Sequence, residues 1–345
     1  MGKQSGKRGL KGLLLGLAAT VIVAGFVFFK VFGPNAGAHI QDEYLYIHTG
    51  ATFEQVLQSL KESGMVKDIN SFRLVANTMK LPQHVHAGKY RIKPGMSNFA
   101  IIRMLRSGLQ VPVKLVINKL RTKGDLIHLL SANLEADSAR LLQMLSDKDF
   151  LTTLDADAET VMGLIRPDTY EFYWNTSAEN VLKKLKKHND RFWTAARVQK
   201  AQAQGITPMQ AVIIASIVEE ETNIGSDKPY IATVYLNRLR RGMKLQADPT
   251  VKFAIGDFTI RRITGAMLLY ESPYNTYMYG GLPPGPICTP SGQSLNAVLD
   301  APHNGYLYFC AKDDLSGRTA FASSLTEHVN NANAYHRALN KRGIH

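Results

Sequence analysis

The chain is poor in cysteine, with only Cys288 and Cys310 among 345 residues. So few exclude a disulfide framework, and they leave one bridge or two buried thiols equally open. Metal motifs are missing as well. There is no CxxC pair and the ten histidines include no HExxH, so no metal site and no cofactor are expected. Acid is in deficit: 28 Asp and Glu against 41 Lys and Arg leave a net charge of +13. That imbalance asks for an acidic partner, which could be nucleic acid, an anionic membrane surface or a carboxylate-bearing polymer. With 45% hydrophobic and 20% charged residues, the composition excludes disorder, and the length suffices for two or three cores.

One long apolar run is present. Lys3, Lys7, Arg8 and Lys11 precede an uncharged stretch from Gly12 to Phe29, closed by Lys30. At about 1.5 Å per helical residue such a stretch nearly crosses a hydrocarbon core of roughly 30 Å. Its basic flank belongs on the cytoplasmic side, so the expected topology is a single pass with the N-terminus inside and the bulk outside. A cleaved signal peptide ending near Ala36-Gly37-Ala38 is the competing reading, but the apolar run is too long for a signal core. A retained anchor in the inner (cell) membrane, with lipid as its partner, is expected. Export demotes nucleic acid as a partner. The basic clusters Lys183–His188 and Arg238–Arg241 then read as solvated helix faces, or as contacts to anionic lipid or glycan.

Residues 1–11 are thus a basic tail, 12–29 the membrane segment and 30–39 a linker carrying Gly33-Pro34-Asn35-Ala36-Gly37. From there the pattern alternates between periods of two and of 3.6. Tyr44–His48 reads as a strand, Phe53, Val56, Leu57 and Leu60 as a helix face, and residues 71–79 as a second helix. Gly88–Ile92 reads as a strand, residues 99–106 as a helix and Val111–Ile117 as a strand. This β-α-α-β-α-β order, with Ile47, Gly50, Phe53, Val56, Leu57 and Leu60 at its opening, is similar to a LysM-like module over 40–117. A Leu-rich helical connection follows over 118–155, and the remaining 156–345 forms the candidate catalytic domain. The expected fold class is α+β: a transmembrane helix, a LysM-like α+β subdomain and a mixed α/β catalytic domain.

Chemistry is sought where a buried helix runs into charge. Thr207-Pro208 is a helix start, an N-cap with Pro at the first helical position. Ala211–Val218 has one polar member, Ser216, and leads directly into Glu219, Glu220 and Glu221. Successive helical residues rotate by roughly 100°, so the three carboxylates face three ways. Glu220 stacks over Ser216 and is expected to face water. Glu219 continues the Val212-Ala215 line and Glu221 the Ile214-Ile217-Val218 line, so each ends an apolar stripe. A carboxyl there, at the negative end of the helix dipole and beside other acids, is pushed toward its protonated form. That is the requirement for a general acid acting on a glycosidic oxygen. Periodicity does not choose between Glu219 and Glu221, and ion pairing of all three remains the alternative.

Downstream, Lys244–Val251 is a polar loop, and Ser272–Tyr277 with Gly280–Ile287 concentrates aromatic rings, an amide and rigid turns suited to holding a sugar. ASIVEEET, NRLRRGMKLQADPTV, SPYNTY, GLPPGPI and YLYF, in this order, resemble the endolytic murein transglycosylase (MltG or YceG-like) family of single-pass membrane enzymes. The resemblance implies lytic cleavage between N-acetylmuramic acid and N-acetylglucosamine of nascent peptidoglycan strands, with membrane peptidoglycan synthases as possible partners. The acid of the family motif I-[IV]-E-x-E-T that it makes catalytic falls on Glu221. It puts Glu219, Gln246, Asp248, Thr250, Tyr274, Asn275, Thr276 and Tyr277 at substrate-binding positions. A hydrolytic muramidase and an inactive wall-binding scaffold are the alternative functions. Three departures from the family pattern stand out: Met162 replaces an acid, Arg166 an aromatic residue, and Thr319 the histidine of a Gly-x-His-x-Phe motif.

Overall fold

The computed structural model describes residues 5–37 and 43–343. The start of the basic tail, Ala38 of the small-residue site and the junction of linker and subdomain at 38–42 lie outside the described residues. Two compact units are formed. The first runs to Lys114 and includes Asn133–Glu135 and Glu171–Thr176; the second holds the rest.

In the first unit, α1 (Ser5–Phe32) carries the apolar run, and its segment Lys11–Phe32 is long and apolar enough to cross a membrane. The expected elements follow. Strand β1 (Tyr44–Ile47) is succeeded by α2 (Phe53–Glu62), α3 (Ile69–Thr78), β2 (Gly88–Arg91) and α4 (Asn98–Arg106). β1 and β2 pair antiparallel, with Leu45 opposite Tyr90. Thr52 and Gln55 close a capping box at the start of α2, which buries Phe53, Val56, Leu57 and Leu60. These meet Phe72 and Val75 of α3 and Ile101, Ile102 and Leu105 of α4 in one core.

Gly33–Gly37, expected as a linker, is instead built into this unit. Asn35 and Ala36 are buried. The Asn35 side-chain amide donates to Asn98 Oδ1 (2.7 Å) and to the Asp68 carbonyl (3.0 Å), while Asn98 donates to the Lys30 carbonyl (2.9 Å). A short polar segment with that many partners cannot remain a free tether. The strand expected to end the module, β3 (Val113–Ile117), pairs outside the β1–β2 sheet, with β4 (Asp168–Phe172). Alternation reports that a segment is a strand but not which strand it joins.

In the second unit α5 (Lys123–Asn133), α6 (Ser138–Met144) and α7 (Lys148–Thr152) form the Leu-rich stretch, and α8 (Ala178–Phe192) and α9 (Ala195–Ala203) follow β4. The centre is α10 (Pro208–Glu221), with the Thr207 N-cap, the Thr207–Gln210 capping box and Pro208 at its first position. Every residue from Ala211 to Val218 is buried, so α10 is walled on all sides. Its neighbours are α11 (Lys228–Arg240), α12 (Asp248–Ile255) and α13 (Gly292–Leu299). A hairpin of β5 (Tyr308–Ala311) and β6 (Thr319–Ala322), covered by α14 (Leu325–Lys341), completes the unit.

Candidate active site

α10 delivers three adjacent carboxylates to three environments. Ser216 decides the first. It is buried, donating to the Ile213 carbonyl (2.7 Å) and accepting from the Ile287 amide (3.0 Å). The helix face it marks is therefore internal, and Glu220, one turn on, does not face water as expected. Its carboxylate is largely buried between Lys119 (2.8 Å) and Arg121 (3.0 Å). Burial alone would raise its pKa, but these two cations bring it below the ordinary value.

Glu219 points the other way, to the start of α13. Its Oε2 accepts from Ser291 Oγ (2.6 Å), from Ser294 Oγ and from the nearly buried Lys228 ammonium (3.1 Å). Burial again opposes ionisation, and the two hydroxyls with the ammonium outweigh it, so Glu219 is held as a carboxylate. It is not among the residues lining the cavity that Glu221 reaches.

Glu221 is different. It lines a cavity of about 340 Å³ together with Arg238, Leu245, Gln246, Asp248, Tyr277, Phe309 and His328. The residue is partly exposed there and has no cation in direct contact among the described residues. Its pKa is pushed up to about 7, first by burial and then by the nearby Asp248 charge, against a hydrogen bond from Tyr235. That bond, from the phenol to Glu221 Oε1, is 2.5 Å long. Tyr235 is buried and packs edge-on against Phe309. Desolvation and the adjacent carboxyl drive its own pKa far up, which keeps it a donor.

The other positions implied by the family resemblance divide. Gln246, Asp248 and Tyr277 line the cavity with Glu221. Tyr277 donates to Asp248 Oδ1 (2.6 Å), and Gln246 is held at φ 51°, a left-handed conformation that costs a side-chain-bearing residue free energy. Thr250 and Thr276 are buried and hydrogen-bonded to each other (2.9 Å), with Thr276 also accepting from the Ala247 amide. Asn275 is buried and donates to the Leu268 and Tyr270 carbonyls. These three brace the loop from behind. Tyr274 turns to Glu159, donating at 2.7 Å, and packs on Phe253.

Sequence reasoning missed Tyr235, Leu245, Phe309, His328 and above all Arg238. Arg238–Arg241 was expected to be a solvated face or a contact to anionic lipid or glycan, yet Arg238 is only 8% exposed. Its guanidinium donates to the carbonyls of Leu307 (2.7 Å) and Leu245 (2.7 Å) and lies over the Tyr308 ring. Among the described residues no carboxylate pairs with it. The available signal was spacing: Ile231, Tyr235 and Arg238 sit at i, i+4 and i+7 on one stripe of α11.

The departures from the family pattern fall away from this cavity. Met162 is packed in the interior, Arg166 lies over the Phe192 ring at 3.7 Å, and the Thr319 amide donates to Asp227 (2.8 Å). Cys288 is buried and Cys310 partly so, both as free thiols.

A family model described as "YceG-like family" matches residues 45–334. The endolytic murein transglycosylase of Bacillus subtilis (strain 168) is 28% identical over 298 residues, covering 82% of this chain and 81% of that one. The protein of the same name from Streptococcus pneumoniae (strain D39) is 24% identical over 317 residues, which is 83% of this chain but 57% of the longer relative. The crystal structure of a YceG-like protein from Listeria monocytogenes matches with a TM-score of 0.55 and 29% identity, covering 83% of this chain and 98% of that one.

Proposed function

Starting from the fact that this chain belongs to the YceG-like family, we propose that it is a lytic transglycosylase, a lyase, that cuts peptidoglycan glycan strands with Glu221 as its acid and base. One observation carries the assignment. Of three consecutive glutamates, two are neutralised by cations, and only Glu221 reaches a cavity with no cation in direct contact among the described residues; the smaller cavity that Glu220 lines also holds its partner Arg121.

The chemistry follows from that environment. With a pKa near 7, Glu221 holds a proton at neutral pH and donates it to the glycosidic oxygen between N-acetylmuramic acid and N-acetylglucosamine, which leaves as a hydroxyl. The muramic acetamido oxygen covers the anomeric carbon as the bond breaks, so no protein nucleophile is needed. Glu221, now a carboxylate supported by the Tyr235 hydrogen bond, takes the proton of the muramic C6 hydroxyl. O6 then closes onto C1 as a 1,6-anhydro ring. Water is not consumed and Glu221 ends protonated.

The buried Arg238 guanidinium favours the ionised intermediate form of Glu221 through its field, and Gln246, Asp248 and Tyr277 shape the sugar site. Glu219, Thr250, Tyr274, Asn275 and Thr276 act from behind, by holding the elements that carry these groups. α1 anchors the enzyme in the cell membrane with its basic end cytoplasmic and the catalytic unit outside. There it meets newly made strands beside the membrane synthases.

Asp248 supports a second reading. A second carboxylate in the same cavity could activate a water and give a hydrolytic muramidase. Product chemistry separates the two. Purified glycan strands are digested with the detergent-solubilised full chain and the new ends read by mass spectrometry. Anhydro ends are expected; reducing ends would establish the hydrolase, and no new ends from the wild type would sink both. Glu221→Gln is expected to abolish cutting.

A further inference from the structure

Between the apolar run of α1 and helix α3 lies a cavity of about 300 Å³ that the proposed chemistry does not use. Phe26, Val27 and Val31 of α1 form one wall, and Leu74 and Val75 of α3 the other. Leu74 is out of place for a water-facing position. Phe72, Val75 and Ala76 turn into the core at helical spacing, whereas Leu74 stands on the outer face of α3 and is 70% exposed. A lone exposed leucine needs no explanation, but this one shares a cavity with Phe26 and Val27, which are exposed as well, so the apolar surface is continuous from α1 to α3.

The first unit is tied to the end of α1 by polar and apolar contacts alike. Lys30 pairs with Asp68, the N-cap of α3, at 2.7 Å. The Asn98 side-chain amide, at the start of α4, donates to the Lys30 carbonyl (2.9 Å). Val31 packs on the core that holds Phe72, and the Phe32 and Phe99 rings meet at 5.2 Å. Beyond α1 the Asn35 and Ala36 amides bond the Met96 carbonyl (3.0 and 2.9 Å), so no free hinge intervenes. The depth of α1 in a membrane therefore sets the depth of α3. Counted from Lys11, roughly 20 helical residues at about 1.5 Å each fill a hydrocarbon core of roughly 30 Å, which then ends near Lys30. Phe26 and Val27 lie a turn inside that boundary, and a cavity walled by them opens on hydrocarbon rather than on water. Asn70 and the Lys30–Asp68 pair form its polar rim, as the headgroup level requires. α3 can stand at this depth because its backbone is satisfied by the helix itself and, at its start, by Asp68, which accepts from the Ser71 amide (3.0 Å).

We propose that α3 is a lipid-contacting element: acyl chains of the leaflet at the C-terminal end of α1 cover Leu74 and fill the cavity beside Phe26 and Val27, which seats the first unit on the bilayer. The inference rests on the reading of α1 as a membrane anchor. Lipid is the occupant because the surface to be covered is continuous with the membrane run, which lipid surrounds.

The test uses the full chain reconstituted in phosphatidylcholine vesicles, with tryptophan as probe and brominated acyl chains as quencher. Trp174 and Trp193 of the wild type set the background. Val21→Trp, at the middle of the apolar run, is read first and is expected to lose emission most to bromines near the chain ends. Leu74→Trp is expected to lose emission most to bromines near the headgroup. Asn70→Trp, one turn away on the same face, is expected to do likewise and serves if the first variant misfolds. Leu109 is also 70% exposed but follows the far end of α4, roughly 12 Å along that helix from Asn98; Leu109→Trp is expected to show the wild-type background alone. Quenching at 21 but at neither 70 nor 74 overturns the inference and leaves the anchor in place. Equal quenching at 74 and 109 also overturns it, since the unit would then adsorb without a fixed orientation. Quenching at 74 that appears only when the protein is diluted in lipid would assign the face to a second copy of the chain and overturn it likewise. No quenching at 21 would overturn the anchor and the inference together.

Discussion

Tyr235, from the middle of α11, donates a 2.5 Å hydrogen bond to Oε1 of Glu221, the last residue of α10. The bond favours the ionised carboxyl, against burial and the Asp248 charge, which favour the protonated one. Tyr235→Phe removes the opposing influence, so the Glu221 pKa rises further. The alkaline limb of the rate profile is expected to move up by about one pH unit. The maximal rate should fall roughly tenfold, because the carboxylate that takes the C6 proton loses its donor. A pH-rate series on both proteins checks this; a limb that stays or moves down contradicts the arrangement.

The same carboxyl links activity to stability. Its pKa is about 7 in the folded chain against an ordinary 4.5, so the folded state holds the proton more tightly than the unfolded state. The favourable contribution is complete below about pH 4.5 and is lost as pH rises through about 7. At 1.36 kcal/mol per unit the whole displacement is worth about 3 kcal/mol, less whatever solvent at the cavity mouth screens. Glu221→Gln keeps an acceptor for Tyr235 and cannot ionise. It should therefore melt higher than the wild type at pH 8 and nearly equal to it at pH 4.5, while being unable to cut. Thermal denaturation at the two pH values gives the sign directly.

Lys228 and Glu219 are both poorly exposed, and the ammonium also donates to Ser294 Oγ (2.8 Å). Lys228→Met leaves the Glu219 charge stranded in the interior, a loss expected to cost about 3 to 5 kcal/mol. Glu219→Gln should cost less, since the amide retains an oxygen for Ser291 and Ser294. If Glu219 instead contacts the glycan, Glu219→Gln will raise KM and leave the melting temperature alone. Denaturation and kinetics on the same preparations distinguish the two.

Much of this was legible in the sequence, for reasons that also explain where legibility stopped. The α10 start came from Thr207-Pro208, and its burial from an unbroken apolar run; both are local signals. The separate fates of Glu219, Glu220 and Glu221 were not local. They are decided by Lys228 nine residues on, by Lys119 and Arg121 about a hundred residues back, and by Ser291 and Ser294 far ahead. Ser216 misled because a hydroxyl on a helix was taken to mark the wet face, whereas here it bonds the Ile287 amide inside the protein. Arg238 was hidden in a cluster whose other two arginines, Arg240 and Arg241, are exposed. His328 sits over a hundred residues from Glu221 and meets the same cavity only because the β5–β6 hairpin brings α14 there.

Gly285 supplies a prediction about the loop that frames the site. A Cβ built there would lie 2.0 Å from the Glu159 carbonyl oxygen and 2.7 Å from its carbon, with the Tyr274 hydroxyl at 3.0 Å. The first two are backbone atoms and cannot swing aside, so Gly285→Ala must push the loop and the 159 segment apart. That strains the Tyr274–Glu159 hydrogen bond and is expected to cost about 1 to 3 kcal/mol. Tyr277, which holds Asp248 at the cavity, is three residues from Tyr274, so cutting should fall along with the melting temperature. Gly280 in the same loop has open space around its would-be Cβ, and Gly280→Ala is the control, expected to match the wild type in both measurements. Equal behaviour of the two alanine variants would mean that the close approach of Gly285 to Glu159 does not hold the loop.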